Sequence, residues 1–305
     1  MKYFKPLLPF VLGFAILLLS QSFLELALIN LATQLILFGL VVCIPIWKTG
    51  RLSYVDIGWP WGLVAIGIGT LLFSEGQVWR VRVIAAIYIF IGARMGLGAL
   101  QLWKKGYLKK EFPRYQYQRR RWERAGKTKV GLAMQVDALC QGMANASFLA
   151  FPAFIIAANP SPTISPFEIL GLILWLLAYL METIADAQKL SFLRKMSREG
   201  KKNQVCNIGL WAYSRHPNYF AEWMVWNALV VAAIPSYIAL FAVEPLWAWI
   251  PLGLGLAFVS RIMYLSLVYL TGAVPSEYYS LQKRPGYKAY TEQVNRFIPG
   301  PPKKA

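Results

Sequence analysis

One histidine serves a chain of 305 residues, and its three cysteines, Cys43, Cys140 and Cys206, share no close spacing. Zinc sites and the iron centres of membrane desaturases need several imidazole or thiolate ligands, so the composition excludes both. A disulfide framework does not follow from the cysteine spacing either. No G-x-G-x-x-G loop follows a strand pattern, which removes a Rossmann domain. The lone histidine, His216, stands before a proline with no serine-nucleophile signature nearby, so a Ser–His–Asp hydrolase is unsupported. Acidic residues are scarce as well: 14 Asp and Glu face 32 Lys and Arg, a formal charge of +18.

Apolar residues are abundant. They make up 57% of the chain, the mean hydropathy is +0.45, and apolar runs recur from end to end. These features predict an all-α, polytopic membrane bundle, because a hydrocarbon layer about 30 Å thick needs roughly 20 apolar residues per helix. Eight runs qualify as spans: Pro6–Phe23, Leu24–Trp47, Ile57–Phe73, Val83–Trp103, Gly131–Ala158, Phe167–Asp186, Asn218–Leu240 and Pro245–Leu270. The third is short and glycine-rich and reads as tilted or re-entrant. The first has a signal peptide's charged and apolar regions but no small-x-small cleavage site, so it reads as a retained span.

The positive charge is not spread evenly. It concentrates at Lys2 and Lys5, at Lys48 and Arg51, over 104–129, over 189–202 and from Lys283 onward. Those are alternate connections; the others carry no Lys or Arg, apart from Arg80 and Arg82 in 74–82. This is the positive-inside pattern, with both termini cytoplasmic, and it points to lipid rather than nucleic acid as the partner of the charge. One membrane domain over 1–305 accounts for the chain, with N-terminal spans in 1–103 and a polar site in 131–305.

The densest polar segment is YSRHPNYFAE, 213–222. Pro217 suits the first turn of a helix and disfavours helical geometry at His216, so a helix is predicted from about Pro217. Asn218 and Glu222, four apart, share one face. Arg215 and His216 stand at the positive end of that helix, where anions are stabilised. The competing reading is an interfacial belt of tyrosines and tryptophans. Glu182 and Asp186 form a second polar pair near the end of an apolar run; they either solvate a helix end or, with Gln188 and Lys189, help hold a ligand. Asp56, beside Trp59 and Trp61, is either a protonated donor held in an apolar site or a helix N-cap. Gln135, Asp137, Gln141 and Asn145 stripe the fifth span; they either line the same cavity or pack against another helix through hydrogen bonds. MGLGALQLW, 95–103, reads as helix packing.

Five blocks occur in order: YVDIGWPWG (54–62), FPRYQYQRRRW (112–122), ETIADAQKLSFLR (182–194), GLWAYSRHPNYFAE (209–222) and the ending VPSEYYSLQKRPGYKAYTEQVNRFIPGPP. Together they resemble the steroid 5α-reductase superfamily, and within it the bacterial membrane branch. That resemblance implies a helical membrane enzyme that uses NADPH to reduce a carbon–carbon double bond in a lipophilic substrate, steroid-like or isoprenoid. It implies a cofactor cavity formed by Tyr213, Arg215, His216, Asn218 and Glu222, joined by Asp186, Lys189 and Arg194 and by Glu277, Tyr287 and Tyr290. Asp56 and Tyr219 are the candidates for acceptor-side chemistry. The location implied is a bacterial inner membrane, or the endoplasmic reticulum in a eukaryote. R-H-P-x-Y also resembles isoprenylcysteine and phospholipid methyltransferases, so an S-adenosylmethionine-dependent lipid methyltransferase is the alternative enzyme. A non-catalytic membrane assembly protein is the third reading.

Overall fold

A computed structural model describes residues 2–303. Among them are thirteen α-helices, joined by short 3-10 and π turns, and no strand. In chain order the helices are α1 (Leu8–Leu17), α2 (Leu24–Phe38), α3 (Ile44–Thr49), α4 (Val55–Phe73), α5 (Val78–Lys104), α6 (Pro113–Arg124), α7 (Val130–Ala146), α8 (Phe151–Ala157), α9 (Pro166–Arg198), α10 (Pro217–Leu240), α11 (Leu246–Leu265), α12 (Ala273–Lys283) and α13 (Tyr287–Gln293). The chain forms two compact units. The first comprises Met1–Ile169 and Val230–Val259, the second Leu170–Leu229 and Ser260–Ala305, and the boundaries fall inside α9, α10 and α11.

Among the described residues, seven helical stretches are long and apolar enough to cross a membrane. The protein is an integral membrane protein. The first predicted span is shorter: the apolar helix Lys5–Leu17 is about 20 Å long, and it carries the chain from Lys2, bonded to Gly126, to Ser20, bonded to Glu244. The third is not re-entrant. α4 runs unbroken for 19 residues through Pro60, about 28 Å. The fifth is interrupted at Ser147, whose φ and ψ of −118° and −103° end α7 before α8 resumes.

Small residues bring the first unit's helices together. A Cβ on Gly92 of α5 would lie 2.5 Å from the carbonyl oxygen of Pro60 and 2.8 Å from the amide nitrogen of Val64 in α4, so the two backbones touch there. Gly96, inside MGLGALQLW, sits against the indole of Trp61, in keeping with a packing role. The polar stripe also binds helices. Asn145 donates to the carbonyl of Trp59 (3.0 Å) and Gln135 to that of Cys43 (3.0 Å), while Gln34 donates to the carbonyl of Gly62 (2.9 Å).

The two sets of connections hold themselves separately. The basic set meets where Lys2 donates to the carbonyl of Gly126 (2.8 Å) and Lys129 N–H donates to Tyr3 (3.0 Å). In the same set Glu111 accepts from the amides of Leu52 (2.8 Å) and Ser53 (3.0 Å). In the basic-poor set, Glu244 accepts from Ser20 (2.5 Å) and Ser22 (2.7 Å), and Gln77 N–H donates to the carbonyl of Asn159 (2.9 Å). Arg80, the apparent exception to the charge pattern, is 1% exposed and bound by Glu168 at 2.6 and 3.0 Å. A cation neutralised inside the fold does not act as a loop charge.

Asp56 belongs to this first unit. It sits in the first turn of α4 and accepts hydrogen bonds from Arg114 and from the hydroxyl of Tyr115, both on α6. It is not the cap of α4, a position held by Tyr54, and its carboxylate is engaged by a guanidinium and a phenol of α6.

Candidate functional site

All the other candidate residues lie in the second unit. The C-terminal turns of α9 carry a short 3-10 turn, Gly209–Ala212, on one side: Gln188 accepts from the amide of Leu210 (2.9 Å) and the carbonyl of Ala185 accepts from the indole of Trp211 (2.9 Å). Gly209 permits this docking, having φ +54° and leaving no room for a Cβ, which would lie 2.5 Å from the Gln188 side chain. Gln188 therefore positions the turn and does not line the cavity.

From that turn the chain enters Ser214-Arg215-His216 and is clasped by the carboxyl-terminal tail. Arg215 N–H donates to the carbonyl of Asn295 (2.8 Å), Ser214 donates to the carbonyl of Phe297 (2.8 Å), and Gly300 N–H donates to the carbonyl of Tyr213 (3.1 Å). At the centre of the clasp is Glu277 of α12, 5% exposed. Its carboxylate accepts from Arg215 Nε (2.7 Å), His216 Nε2 (3.2 Å) and Arg296 Nε (3.0 Å). Arg215 also donates through Nη1 to the carbonyl of Thr291 (2.9 Å). Most of its guanidinium thus holds Glu277 and the tail, and one edge lies on the cavity.

Burial holds the His216 imidazole below its ordinary pKa, against the pull of the Glu277 carboxylate. The ring is neutral near pH 7. Because the carboxylate can only accept, Nε2 carries the proton. Tyr219 stacks on the ring at 5.4 Å with 6° between planes.

Beside these residues is a cavity of about 160 Å³, lined by Lys189, Cys206, Trp211, Arg215, His216, Asn218, Tyr219, Arg284, Tyr287 and Tyr290 together with Val205, Ser276 and Ser280. Lys189 Nζ lies 4.1 Å from the centre of the Trp211 ring. Asn218 donates to Asp186 (3.1 Å), but its Oδ1 is buried without a partner. Burial pushes the Tyr287 hydroxyl up to about 12 and the Cys206 thiol up from its ordinary value, so both stay protonated. Tyr290 donates to the carbonyl of Trp211 (2.5 Å), another neutral phenol in the wall.

Seven of the expected residues thus share one cavity: Lys189, Arg215, His216, Asn218, Tyr219, Tyr287 and Tyr290. Glu277 supports it from behind and Asp186 orients Asn218 from its rim. Arg194 is exposed and Tyr213 is 49% exposed, both outside the lining, as is half-buried Glu222. Residue patterns missed Arg284, Cys206 and Trp211. Trp211 stands two residues before the quoted Tyr213, and Arg284 is marked only by its place between α12 and Pro285.

The model of the family described as protein of unknown function (DUF1295) matches residues 44–294. The chain belongs to the DUF1295 family. That family is linked to steroid 5α-reductase-like proteins. No curated protein and no solved structure matches the chain. The match begins near the end of the first long helical stretch and ends at Val294, so this DUF1295 chain carries its whole cavity lining inside the family region.

Proposed function

We propose that the protein is a membrane-embedded, NADPH-dependent reductase of a carbon–carbon double bond in a lipophilic substrate. The observation that carries this reading is Asn218 Oδ1, a buried acceptor without a donor, in a cavity that also gathers cations and aromatic rings. A buried polar atom left unpaired is costly, and a ligand N–H or O–H would satisfy it.

The lining fits parts of a dinucleotide. Asn218 Oδ1 suits a carboxamide, an adenine amine or a ribose hydroxyl, whereas Lys189 and Arg284 suit phosphate. Trp211 and Tyr219 offer flat surfaces. A space of about 160 Å³ admits one such moiety, so the rest of the cofactor would extend from the mouth. A nicotinamide held here would supply the hydride. The protein's part is to bind, to orient and to hold protons in place. Neutral His216, fixed by Glu277, keeps the site free of an added positive charge and supports the stacked ring of Tyr219, the hydroxyl this reading assigns to proton delivery.

Thermal unfolding of the detergent-solubilised protein tests the proposal, because a ligand that binds only the folded state raises the midpoint by mass action. NADPH is expected to raise it, and Asn218→Leu to abolish most of the rise while leaving the ligand-free midpoint near that of the wild type. Stabilisation by S-adenosylmethionine and not by NADPH would reverse the assignment in favour of a lipid methyltransferase.

A further inference from the structure

The charges around the cavity do not balance. Its lining holds three cations, Lys189, Arg215 and Arg284, and no carboxylate. Arg215 is neutralised by Glu277 at 2.7 Å. Lys189 and Arg284 are not: among the described residues neither has a carboxylate within ion-pairing distance. Lys189 rests on the Trp211 ring, which fixes its direction without cancelling its charge. Arg284 is anchored through its backbone on both sides, its N–H donating to the carbonyl of Ser280 (3.0 Å) and its carbonyl accepting from the amide of Tyr287 (3.2 Å). Two like charges held in one concavity repel, and a dianion between them would remove the cost.

We propose that Lys189 and Arg284 form a subsite for a phosphate monoester. Resting on the reductase reading above, that monoester is the 2′-phosphate of the cofactor's adenosine, and these two residues set the preference for NADPH over NADH. A monoester near pH 7 carries a charge of about −1.5 to −2, which matches two cations, whereas each phosphate of the diphosphate bridge carries one. Asp186 directs the phosphate away from Asn218: a carboxylate at that rim repels it, so the Asn218 side suits a neutral hydrogen-bonding part of the same ligand.

Binding of NADPH, NADH, 2′,5′-ADP and inorganic phosphate to the full-length protein, followed by ligand-dependent shifts in the melting midpoint and by titration, tests the subsite. Wild type is expected to bind NADPH at least tenfold more tightly than NADH. Lys189→Gln and Arg284→Gln should each weaken NADPH binding about tenfold more than NADH binding and so erase most of that ratio, while Arg284→Lys should restore part of it. Equal weakening of both dinucleotides, or an undiminished preference in both glutamine variants, would overturn the proposal. If neither dinucleotide binds but inorganic phosphate or phosphatidate-containing vesicles bind in a manner that needs both cations, the reductase reading falls and the monoester subsite stands. If no phosphate-bearing probe binds the wild type, both fall.

Discussion

Glu277 joins three sequence-distant groups, and its removal separates them. Arg215, His216 and Arg296 lie 62, 61 and 19 residues away, and all three donate to one carboxylate. Glu277→Gln would leave a buried guanidinium short of its counter-charge, and breaking such a pair costs about 3–5 kcal/mol. The variant is expected to melt markedly lower and to be cut by trypsin after Arg296 under conditions that spare the wild type. His216 adds a pH dependence. Burial holds its pKa below the unfolded value of about 6.5, so on acidification the unfolded chain takes up the proton first. Its contribution to stability is complete above pH 6.5 and declines as pH falls further. Melting curves from pH 7.5 to 5 should therefore fall more steeply for wild type than for His216→Gln, by at most about 1.4 kcal/mol per pH unit.

At the level of helices, contact between α4 and α5 relies on the absence of side chains. Gly92→Leu would drive atoms into the backbone of Pro60 and Val64, which cannot rotate aside. Overpacking of this kind costs about 1–3 kcal/mol, and a lower melting midpoint in detergent would register it. Gly98→Leu, two residues past Gly96 and facing open space, should leave the midpoint unchanged. The same contrast shows how far sequence reaches. Apolar length foretold seven of the eight spans, and Pro217 opens α10 where its chemistry requires. Both signals are local. The break at Ser147 and the shortness of α1 are decided by packing of the surrounding helices, which leaves no mark in the apolar count. The tail clasp was hidden for the same reason. Asn295 and Phe297 meet the His216 segment through backbone carbonyls, which every residue possesses, so composition around them says nothing. Arg215 was legible as a site residue, whereas its clasp on Glu277 and the tail was not, because sequence shows a cation without showing that its fork is already occupied.

Over the whole molecule, the distribution of charge bears on orientation. Within the first unit, connections rich in Lys and Arg meet through contacts such as Lys2 with Gly126, and basic-poor ones through contacts such as Gln77 with Asn159. With Arg80 neutralised by Glu168, only Arg82 departs from the pattern in the basic-poor set, and it stands in the first turns of α5. The positive-inside rule then predicts that both termini and the 104–130 connection face the cytoplasm, where a soluble dinucleotide is available to a cavity whose walls include Lys189 and Arg284. Single cysteines in a background whose own cysteines are replaced by serine or alanine give the check. Ala125→Cys is expected to react with a membrane-impermeant maleimide only after the cells are opened, and Pro162→Cys in intact cells, both positions being exposed. By the alternation of spans along the chain, labelling in the reverse order would put the connection after Arg198 on the side without cytosolic NADPH. The reductase reading would then fail on supply alone, whatever the geometry of Asn218.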